Sequence, residues 1–375
     1  MRLLVLTKRQ YTTKDLLDDR FGRLRELPLA LARCGQEVTG ICLSYRDRDE
    51  GTVVDEDRNA GVRVIWHSVN AGRTKLPGLV RFMRQASKLA HRTQPDVILA
   101  FSDSFYGIMG VQLARRLNSK CVFDLYDNFE SFGSTSIPGM LPLYKRAVRV
   151  ADGVTCVSNA LMHLVRESYK RDKPTALIPN AIDSSVFYPR DKAKCRQALG
   201  LPLDATIIGT AGALHKNRGI DALFRGFEAL SKQEANIHLA VAGSRDRATR
   251  LPSGPRVHDL SVLPLSKVPL LLSSLDVAVV CNKDSLFGRY CFPQKAYEII
   301  ACRVPMVAAD VGAMKELMHP HAQYLFKPDD PSDLARAVRA QLDARFVPDG
   351  NVPTWDDVAG ELERFLHSIA ENDSA

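Results

Sequence analysis

The sequence predicts an α/β protein of two domains, each a doubly wound, Rossmann-like parallel sheet. At 375 residues the chain is too long for one ordinary core. Short apolar runs of strand length alternate with helical patterns, as in parallel sheets. This alternation stops near the middle, over residues 178–189, and then restarts. We therefore expect two sheets facing a central cleft, with ligands at the carboxyl ends of the strands.

The first domain is predicted over residues 1–182. It opens with an apolar strand, Arg2–Thr7, and continues with a helix that follows Gly22 and contains Pro28, which is expected to kink it. Further strands are predicted at 37–43, 62–67, 96–101, 121–125, 154–157 and 175–178.

The second domain is predicted over residues 190–350, and a last helical segment over 353–370. Apolar runs predict strands at 206–212, 237–242, 256–259, 276–281 and 304–309. Helical patterns are found at 220–230, 267–274, 293–302 and 331–344.

The most informative motif begins at Phe292. Pro293 suits the first position of a helix, where a missing N–H costs nothing. Lys295 and Glu298 lie three residues apart and so share one helix face. A helix N-terminus beside a cation suits a diphosphate, and a carboxylate one turn further suits ribose hydroxyls. The alternative for Glu298 is a charge on the helix surface.

A second motif joins a strand to a helix between Gly209 and Asp221. Gly212 ends the strand, and Lys216 and Arg218 precede Gly219 at the helix start. Glycines let a backbone approach a phosphate and cations offset its charge. The alternative is a glycine turn with solvated basic side chains.

A third motif lies at the middle of the chain, where Ile178-Pro-Asn-Ala-Ile-Asp183 precedes Phe187-Tyr-Pro189. Together with the Phe292 motif it resembles the GT-B glycosyltransferases, specifically the retaining, nucleotide-sugar-dependent enzymes of family 4. The resemblance covers nearly the whole chain and is more specific in the second half.

The resemblance implies transfer of a hexose from a nucleotide-diphospho-sugar, with retention, to a cell-envelope or exopolysaccharide acceptor such as a lipid-linked glycan. It implies no cofactor besides the donor and a last helix that returns to the first domain. The implied catalytic residues are Asp127, Lys216 and Arg218. The implied donor-binding residues are Gly22, Gly212, Tyr290, Phe292, Pro293, Lys295 and Glu298.

The chain departs from the family pattern at three positions. Many members have a glutamate where this chain has Tyr290, an arginine where it has Ala213, and a histidine where it has Tyr126. Asp127 follows a predicted strand and is expected to position an acceptor hydroxyl or the donor hexose; the alternative is a turn cap. Asp103, after the preceding strand, is a weaker candidate of the same kind.

Charge is unevenly distributed. The first 182 residues contain 28 lysines and arginines against 19 aspartates and glutamates, whereas the rest is close to neutral. Arg81, Arg84, Lys88 and Arg92 share one face of a predicted helix, with Leu79, Phe82 and Met83 among the residues of the apolar face. This pattern suits an anionic membrane surface or a solvated face. No nucleic-acid recognition motif accompanies the charge.

Two sequences, Asp47-Arg-Asp49 and Asp55-Glu-Asp57, have the spacing of metal-binding carboxylates, but we expect a solvated loop there and no metal. The eight cysteines include no C-x-x-C pair and indicate buried thiols in a reducing cytoplasm. No apolar run is long enough for a membrane helix. The protein is therefore expected to be cytoplasmic, with peripheral attachment to the inner face of the membrane.

Two alternatives stay open at this point. One is a nucleotide-sugar epimerase of the same fold, which needs no acceptor. The other is a catalytically silent binding protein, which the departures at Tyr290 and Tyr126 allow.

Overall fold

The structure is a computed structural model that describes residues 1–11, 14–348 and 352–371. Its strands, numbered along the chain, are β1 Arg2–Lys8, β2 Gln10–Tyr11, β3 Lys14–Asp15, β4 Glu37–Ser44, β5 Gly51–Asp57, β6 Val62–Asn70, β7 Val97–Ala100, β8 Lys120–Leu125, β9 Gly153–Cys156, β10 Thr175–Leu177, β11 Thr206–Ala211, β12 Ile237–Ala242, β13 Val257–Asp259, β14 Val277–Val280, β15 Met306–Ala309 and β16 Leu325–Phe326.

The helices are α1 Arg23–Arg33, α2 Leu76–Thr93, α3 Ser104–Leu117, α4 Met140–Val150, α5 Asn159–Glu167, α6 Lys192–Leu199, α7 Ile220–Ser231, α8 Val268–Ser274, α9 Leu286–Tyr290, α10 Gln294–Ala301, α11 Ala313–Leu317, α12 Pro331–Asp343 and α13 Trp355–Glu371.

The chain folds into two compact units. Unit 1 comprises residues 1–180 together with residues 355–375, and unit 2 comprises residues 181–354. The boundary between them falls inside the segment that begins at Ile178, where the backbone is not helical. The two-domain, Rossmann-like fold class predicted from the sequence is confirmed.

Unit 1 contains an eight-stranded sheet in the order β10-β9-β8-β7-β1-β4-β6-β5. The strands pair in parallel except for the edge strand β5, which is antiparallel to β6. The central strands are buried on both faces, which explains their continuous apolar sequence.

Helix α13 packs on α1 and so completes unit 1. Its buried residues recur at helical spacing, and they are Trp355, Val358, Ala359, Leu362, Leu366 and Ile369. A Cβ on Gly153 would lie 2.9 Å from the Phe365 ring, so β9 approaches this helix more closely than a larger residue allows.

Unit 2 contains a six-stranded, wholly parallel sheet in the order β13-β12-β11-β14-β15-β16. In both sheets the strand order reverses beside the first strand. Unit 1 has its reversal between β1 and β7, and unit 2 between β11 and β14. Open α/β sheets bind ligands outside the carboxyl ends of the strands at such a point.

One sequence expectation was wrong. Residues 55–57 form part of β5, not a solvated loop, and Asp55 is buried. Its carboxylate accepts two hydrogen bonds from Arg25, of 2.8 and 3.0 Å, and so holds α1 against the sheet. Periodicity missed this strand because five of its seven residues are exposed and its one buried side chain, Asp55, is charged.

Helix α2 differs from the expected pattern in its apolar residues. Phe82, Ala86 and Leu89 are buried as predicted, but Met83 is 41% exposed. Leu76 and Val80 are exposed as well, at 69% and 39%. The helix therefore has a second, exposed apolar stripe at positions i, i+4 and i+7. None of the described helices is both long enough and apolar enough to cross a membrane.

Candidate functional site

The reversal point of unit 2 is built on a close backbone approach. Gly212 follows β11 with a φ of +114°, which favours glycine. A Cβ on the neighbouring Gly243 would lie 1.6 Å from the carbonyl oxygen of Gly212. The two backbones therefore pack closely, and Gly212 is itself exposed, so its main chain is accessible.

Lys295 reaches this backbone from helix α10. A Cβ on Gly212 would lie 3.4 Å from the Lys295 Nζ atom, so the ammonium occupies the space over the glycine. The sequence predicted Pro293 as the first helical residue, but it is the N-cap of α10, which begins at Gln294, and Lys295 therefore lies in the first turn. The ammonium and the helix N-terminus together form a positive site.

Arg218 supplies a second cation. It ends the short 3₁₀ helix Lys216–Arg218, and its guanidinium lies 3.6 Å above the ring of Phe287 in α9. This stacking fixes the planar group without neutralising it. Within the described residues, neither Arg218 nor Lys295 forms an ion pair with a carboxylate.

The charge of Arg218 acts on Lys295. Burial lowers the pKa of the Lys295 ammonium, Cys281 and Glu298 oppose that shift, and the charge of Arg218 lowers the pKa further. Keeping two unpaired positive charges together is unfavourable, and a bound anion would relieve it.

Glu298 lies one turn beyond Lys295 and is 9% exposed. Burial raises the pKa of its carboxyl to about 7, although Lys295 and a hydrogen bond from Gln294 lower it. The Gln294 Nε2 atom donates to Glu298 Oε1 over 3.2 Å. Most of the carboxylate's acceptor capacity remains for ligand hydroxyls.

The matching edge of unit 1 has a different character. Lys8 ends β1, Asp103 follows β7 and Asp127 follows β8, so they lie on three adjacent strands. Asp103 caps α3 by accepting a hydrogen bond from the Phe105 amide, and Asp127 accepts one from the Asn128 amide. The following 3₁₀ turn is capped by Asn128, whose Oδ1 accepts a hydrogen bond from the Glu130 amide. Asp127 is also a charge that raises the pKa of Lys8.

Two family models match the chain, one in each half. Residues 205–344 match "Glycosyl transferases group 1" and residues 23–186 match "Glycosyltransferase Family 4". The chain belongs to the GT-B glycosyltransferases of the family 4 kind.

Curated glycosyltransferases are similar to the chain at modest identity. A D-inositol 3-phosphate glycosyltransferase of Stackebrandtia nassauensis is 26% identical over 58% of this chain and 54% of its own length. The putative teichuronic acid biosynthesis glycosyltransferase TuaC of Bacillus subtilis is 28% identical over 53% and 49%. In these alignments the chain spans about half the length of each relative. A D-inositol 3-phosphate glycosyltransferase of Pseudarthrobacter chlorophenolicus is 25% identical over 85% and 81%.

Solved structures share the fold of this chain. The sucrose-phosphate synthase of Thermosynechococcus elongatus superposes with a TM-score of 0.73 and 21% identity over 99% of this chain and 97% of its own. HepE of Anabaena, in a structure with UDP-glucose, superposes with a TM-score of 0.70 and 17% identity over 100% and 99%.

Most of the donor-site candidates lie in unit 2. Lys295 lies over Gly212, and Glu298 follows it on α10. Phe292 packs on Tyr297, with the rings tilted and their centroids 4.4 Å apart. Tyr290 ends α9, directly before the motif.

Two candidates are placed differently. Lys216 is exposed, and its ammonium lies 3.8 Å from the carboxylate of Asp221. Gly22 belongs to unit 1, where it is the N-cap of α1 with a φ of +88°. Its carbonyl accepts hydrogen bonds from Arg25 and Glu26.

Sequence reasoning missed several side chains of these sites. Lys8 and Phe287 carry no motif, and only their positions after β1 and at the start of α9 distinguish them. Arg23 is wholly buried and bonds both carboxylate oxygens of Asp124, at 3.0 and 2.7 Å, and the carbonyls of Ile178 and Pro179. The available sequence signal for the Arg23–Asp124 pair was a charged residue among the apolar residues of the helix.

Proposed function

We propose that this protein transfers a hexose from a nucleotide-diphospho-sugar to a hydroxyl of a glycan or lipid-linked acceptor in the assembly of cell-envelope or exopolysaccharide, with retention of configuration. The family supports the donor class, and two of its relatives are named for inositol phosphate and teichuronic acid.

One observation carries the proposal. The Lys295 ammonium lies over the backbone of Gly212, and the charge of Arg218 acts on it; both cations lack a carboxylate partner in the described residues. Glu298 lies one helical turn from Lys295. Two cations and a helix N-terminus suit a diphosphate, and the carboxylate suits the two ribose hydroxyls. Structural neighbours have been solved with UDP and with UDP-glucose.

The chemistry follows from the leaving group. The bond between the anomeric carbon and the diphosphate oxygen breaks, and the acceptor oxygen bonds to the same carbon. The acceptor proton passes to the departing diphosphate. Lys295 and Arg218 stabilise the charge that grows on that diphosphate. Each preorganised contact of this kind lowers the activation barrier by about 2.7–4 kcal/mol. The bond forms on the face that the leaving group vacates.

Other side chains are assigned supporting roles. Asp127, 7% exposed at the edge of unit 1, orients a sugar hydroxyl. Lys216, exposed and close to Asp221, adds a weaker, screened attraction for the phosphates. Because the protein supplies the compensating charge, we expect transfer to persist in EDTA. Loss of transfer on chelation, with recovery on adding magnesium or manganese, would contradict that expectation.

The proposal is tested by turnover on a panel of uridine, guanosine and adenosine diphosphate sugars, with and without acceptors. Transfer to an acceptor is expected from one donor class, and Lys295→Met should abolish most of it. Conversion of a donor into an isomer without any acceptor would instead indicate an epimerase. Nucleotide binding with no turnover across acceptors would indicate a binding protein.

We also propose peripheral attachment to anionic membranes through α2. Its exposed stripe, Leu76, Val80 and Met83, lies beside the exposed cations Arg84 and Lys88. Apolar side chains that enter the interface and cations that face lipid headgroups are the two components of such binding. Arg81, also on this helix, is held by Glu50 at 2.6 Å.

Co-sedimentation with phosphatidylglycerol vesicles tests the attachment. Binding should fall steeply with salt, and both Leu76→Ser with Met83→Ser and Arg84→Glu with Lys88→Glu should weaken it. The control variant is Arg225→Glu with Lys232→Glu, which makes the same charge change on the exposed surface of unit 2. Equal losses of vesicle binding in the α2 variants and in the control would contradict the role of α2.

A further inference from the structure

The reversal point of unit 1 holds an unusual buried cation. Lys8 ends β1 and is largely buried, and its ammonium lies 5.6 Å from the ring centroid of Tyr126 and 5.1 Å from that of Phe132. Across the described residues, the Nζ atom has no hydrogen-bond or ion-pair partner. The ammonium therefore lies against two aromatic rings, and its three N–H donors remain available to a ligand.

Two buried carboxylates accompany this cation. Asp103 is 8% exposed and Asp127 is 7% exposed. Burial lowers the pKa of Lys8 and raises that of Asp103, and the charges of Asp103 and Asp127 oppose the shift of Lys8. The cluster therefore contains two potential negative charges against one positive charge.

The backbone around the cluster is fixed and strained. Ser102 has a φ of +90°, which is costly for a residue with a Cβ. Its hydroxyl lies 2.6 Å from the Thr7 hydroxyl and accepts a hydrogen bond from the Lys8 amide over 3.0 Å. These bonds join the ends of β1 and β7 and set Lys8 beside Asp103.

The neighbouring cation does not alter this charge balance. Arg9 follows Lys8, but its guanidinium is bonded to Asp15 and Asp18, at 2.8 and 2.6 Å, and to the Ser68 hydroxyl. Its charge is neutralised within that separate cluster.

We infer that Lys8, Asp103 and Asp127 bind the acceptor's sugar ring as an uncharged polyol and disfavour a ring that carries phosphate or carboxylate. The inference rests on the proposed function, since it names the acceptor class of the same reaction. Carboxylates accept hydrogen bonds from hydroxyls and the ammonium donates them, which is what a neutral ring requires. An added anion would meet two carboxylates and only one ammonium, and such like-charge contacts are a means of excluding wrong ligands. Relatives named for D-inositol 3-phosphate would differ from this chain in that respect.

The test compares matched neutral and anionic sugars by ligand-observed NMR, with a saturating nucleoside diphosphate present. The pairs are myo-inositol with D-inositol 3-phosphate, and octyl glucoside with octyl glucuronide. In the wild-type protein the neutral member of at least one pair should bind about tenfold more tightly than its anionic partner, or about 1.4 kcal/mol.

Variants assign that preference to the cluster. Asp103→Asn keeps a residue that caps helices well. It should reduce the difference in affinity between the neutral and the anionic sugar, because it removes one negative charge. Lys8→Met should weaken binding of the neutral sugar about tenfold or more, whereas the surface control Lys232→Met should leave that binding unchanged. Tighter binding of the anionic member, with loss in Lys8→Met, would overturn the inference.

Two further outcomes separate this inference from the proposed function. If neither pair binds while the nucleoside diphosphate does, the acceptor inference fails and the donor site stands. If the neutral sugar binds but no nucleoside diphosphate does, the proposed function fails at its donor site.

Discussion

The carboxyl edges of the two sheets differ in how they treat charge. In unit 1 the buried arginines are neutralised internally: Arg23 bonds Asp124 and Arg9 bonds Asp15. In unit 2 the cations at the edge, Lys295 and Arg218, lack carboxylate partners in the described sequence. The same topology therefore produces one edge where the arginines hold the fold and Lys8 is left for a ligand, and another where Lys295 and Arg218 are both open to one.

This difference has a thermodynamic consequence. An internal buried pair is costly to break because it leaves an uncompensated charge. An unpaired buried cation costs stability until a ligand arrives, and removing it should cost binding and turnover instead. Variants of the two edges should thus fail in different assays.

The largest expected effect is on the stability of unit 1. Arg23→Met leaves the Asp124 carboxylate buried with only Thr155 as a side-chain partner, and should lower the free energy of unfolding by about 3–5 kcal/mol. Both tryptophans, Trp66 and Trp355, are buried in unit 1, so their fluorescence during denaturation reports that unit. Lys295→Met should leave this transition unchanged. A similar loss of unfolding free energy in Arg23→Met and Lys295→Met would contradict the difference between the two edges.

Next in size is the effect of Lys295→Met on turnover. Loss of the ammonium beside Gly212 should reduce kcat/KM by about 10²–10³, because the diphosphate loses a preorganised charge. Lys232→Met, which removes the same charge from an exposed site, is the matched control. Wild-type turnover in Lys295→Met would mean that the ammonium does not contact the leaving group.

Glu298→Gln should weaken nucleoside binding by about 1.5–3 kcal/mol, since charged hydrogen bonds to the ribose become neutral ones. The raised pKa, about 7, also predicts a pH dependence. Glu298 is protonated below pH 7 and ionised above it, so affinity for the uncharged nucleoside should rise between pH 6 and 8. Calorimetry should show this rise in the wild type and a flat profile in Glu298→Gln. A rise of equal size in both proteins would rule out Glu298 as its source.

The smallest effect concerns the aromatic support of Arg218. Phe287→Leu removes the ring on which the guanidinium lies and should weaken diphosphate affinity by about 0.5–1 kcal/mol. Phe287→Tyr keeps a ring and serves as the control. An equal loss in Phe287→Tyr would show that the packing of α9, and not the stacking, supports Arg218.

The sequence could place the unit 2 candidates on their elements because their spacing is local. Pro293, Lys295 and Glu298 lie within two turns of one helix, and helical spacing alone places two of them on one face. Gly212 and Arg218 lie in a single strand-to-helix connection. The residue spacing within one helix and one loop was enough to identify these residues as candidates.

The unit 1 edge could be predicted only in part. Asp103 and Asp127 were candidates because each follows a predicted strand, but Lys8 lies 95 residues before Asp103 and joins them only because β1, β7 and β8 are neighbours. Nothing in the sequence fixes that strand order. Asp55 shows the same limit, since its partner Arg25 lies 30 residues away and five of the seven residues in its strand are exposed.

The contrast between the edges is tested most directly by calorimetric titration of the tightest-binding nucleoside diphosphate, chosen from UDP, GDP and ADP, into wild type, Lys295→Met and Lys8→Met. Each variant removes one largely buried lysine at the reversal point of one sheet. We predict that Lys295→Met loses about 1.5–3 kcal/mol of binding free energy and that Lys8→Met binds as tightly as the wild type. Equal losses in both variants, or a loss confined to Lys8→Met, would contradict the assignment of the nucleotide to unit 2.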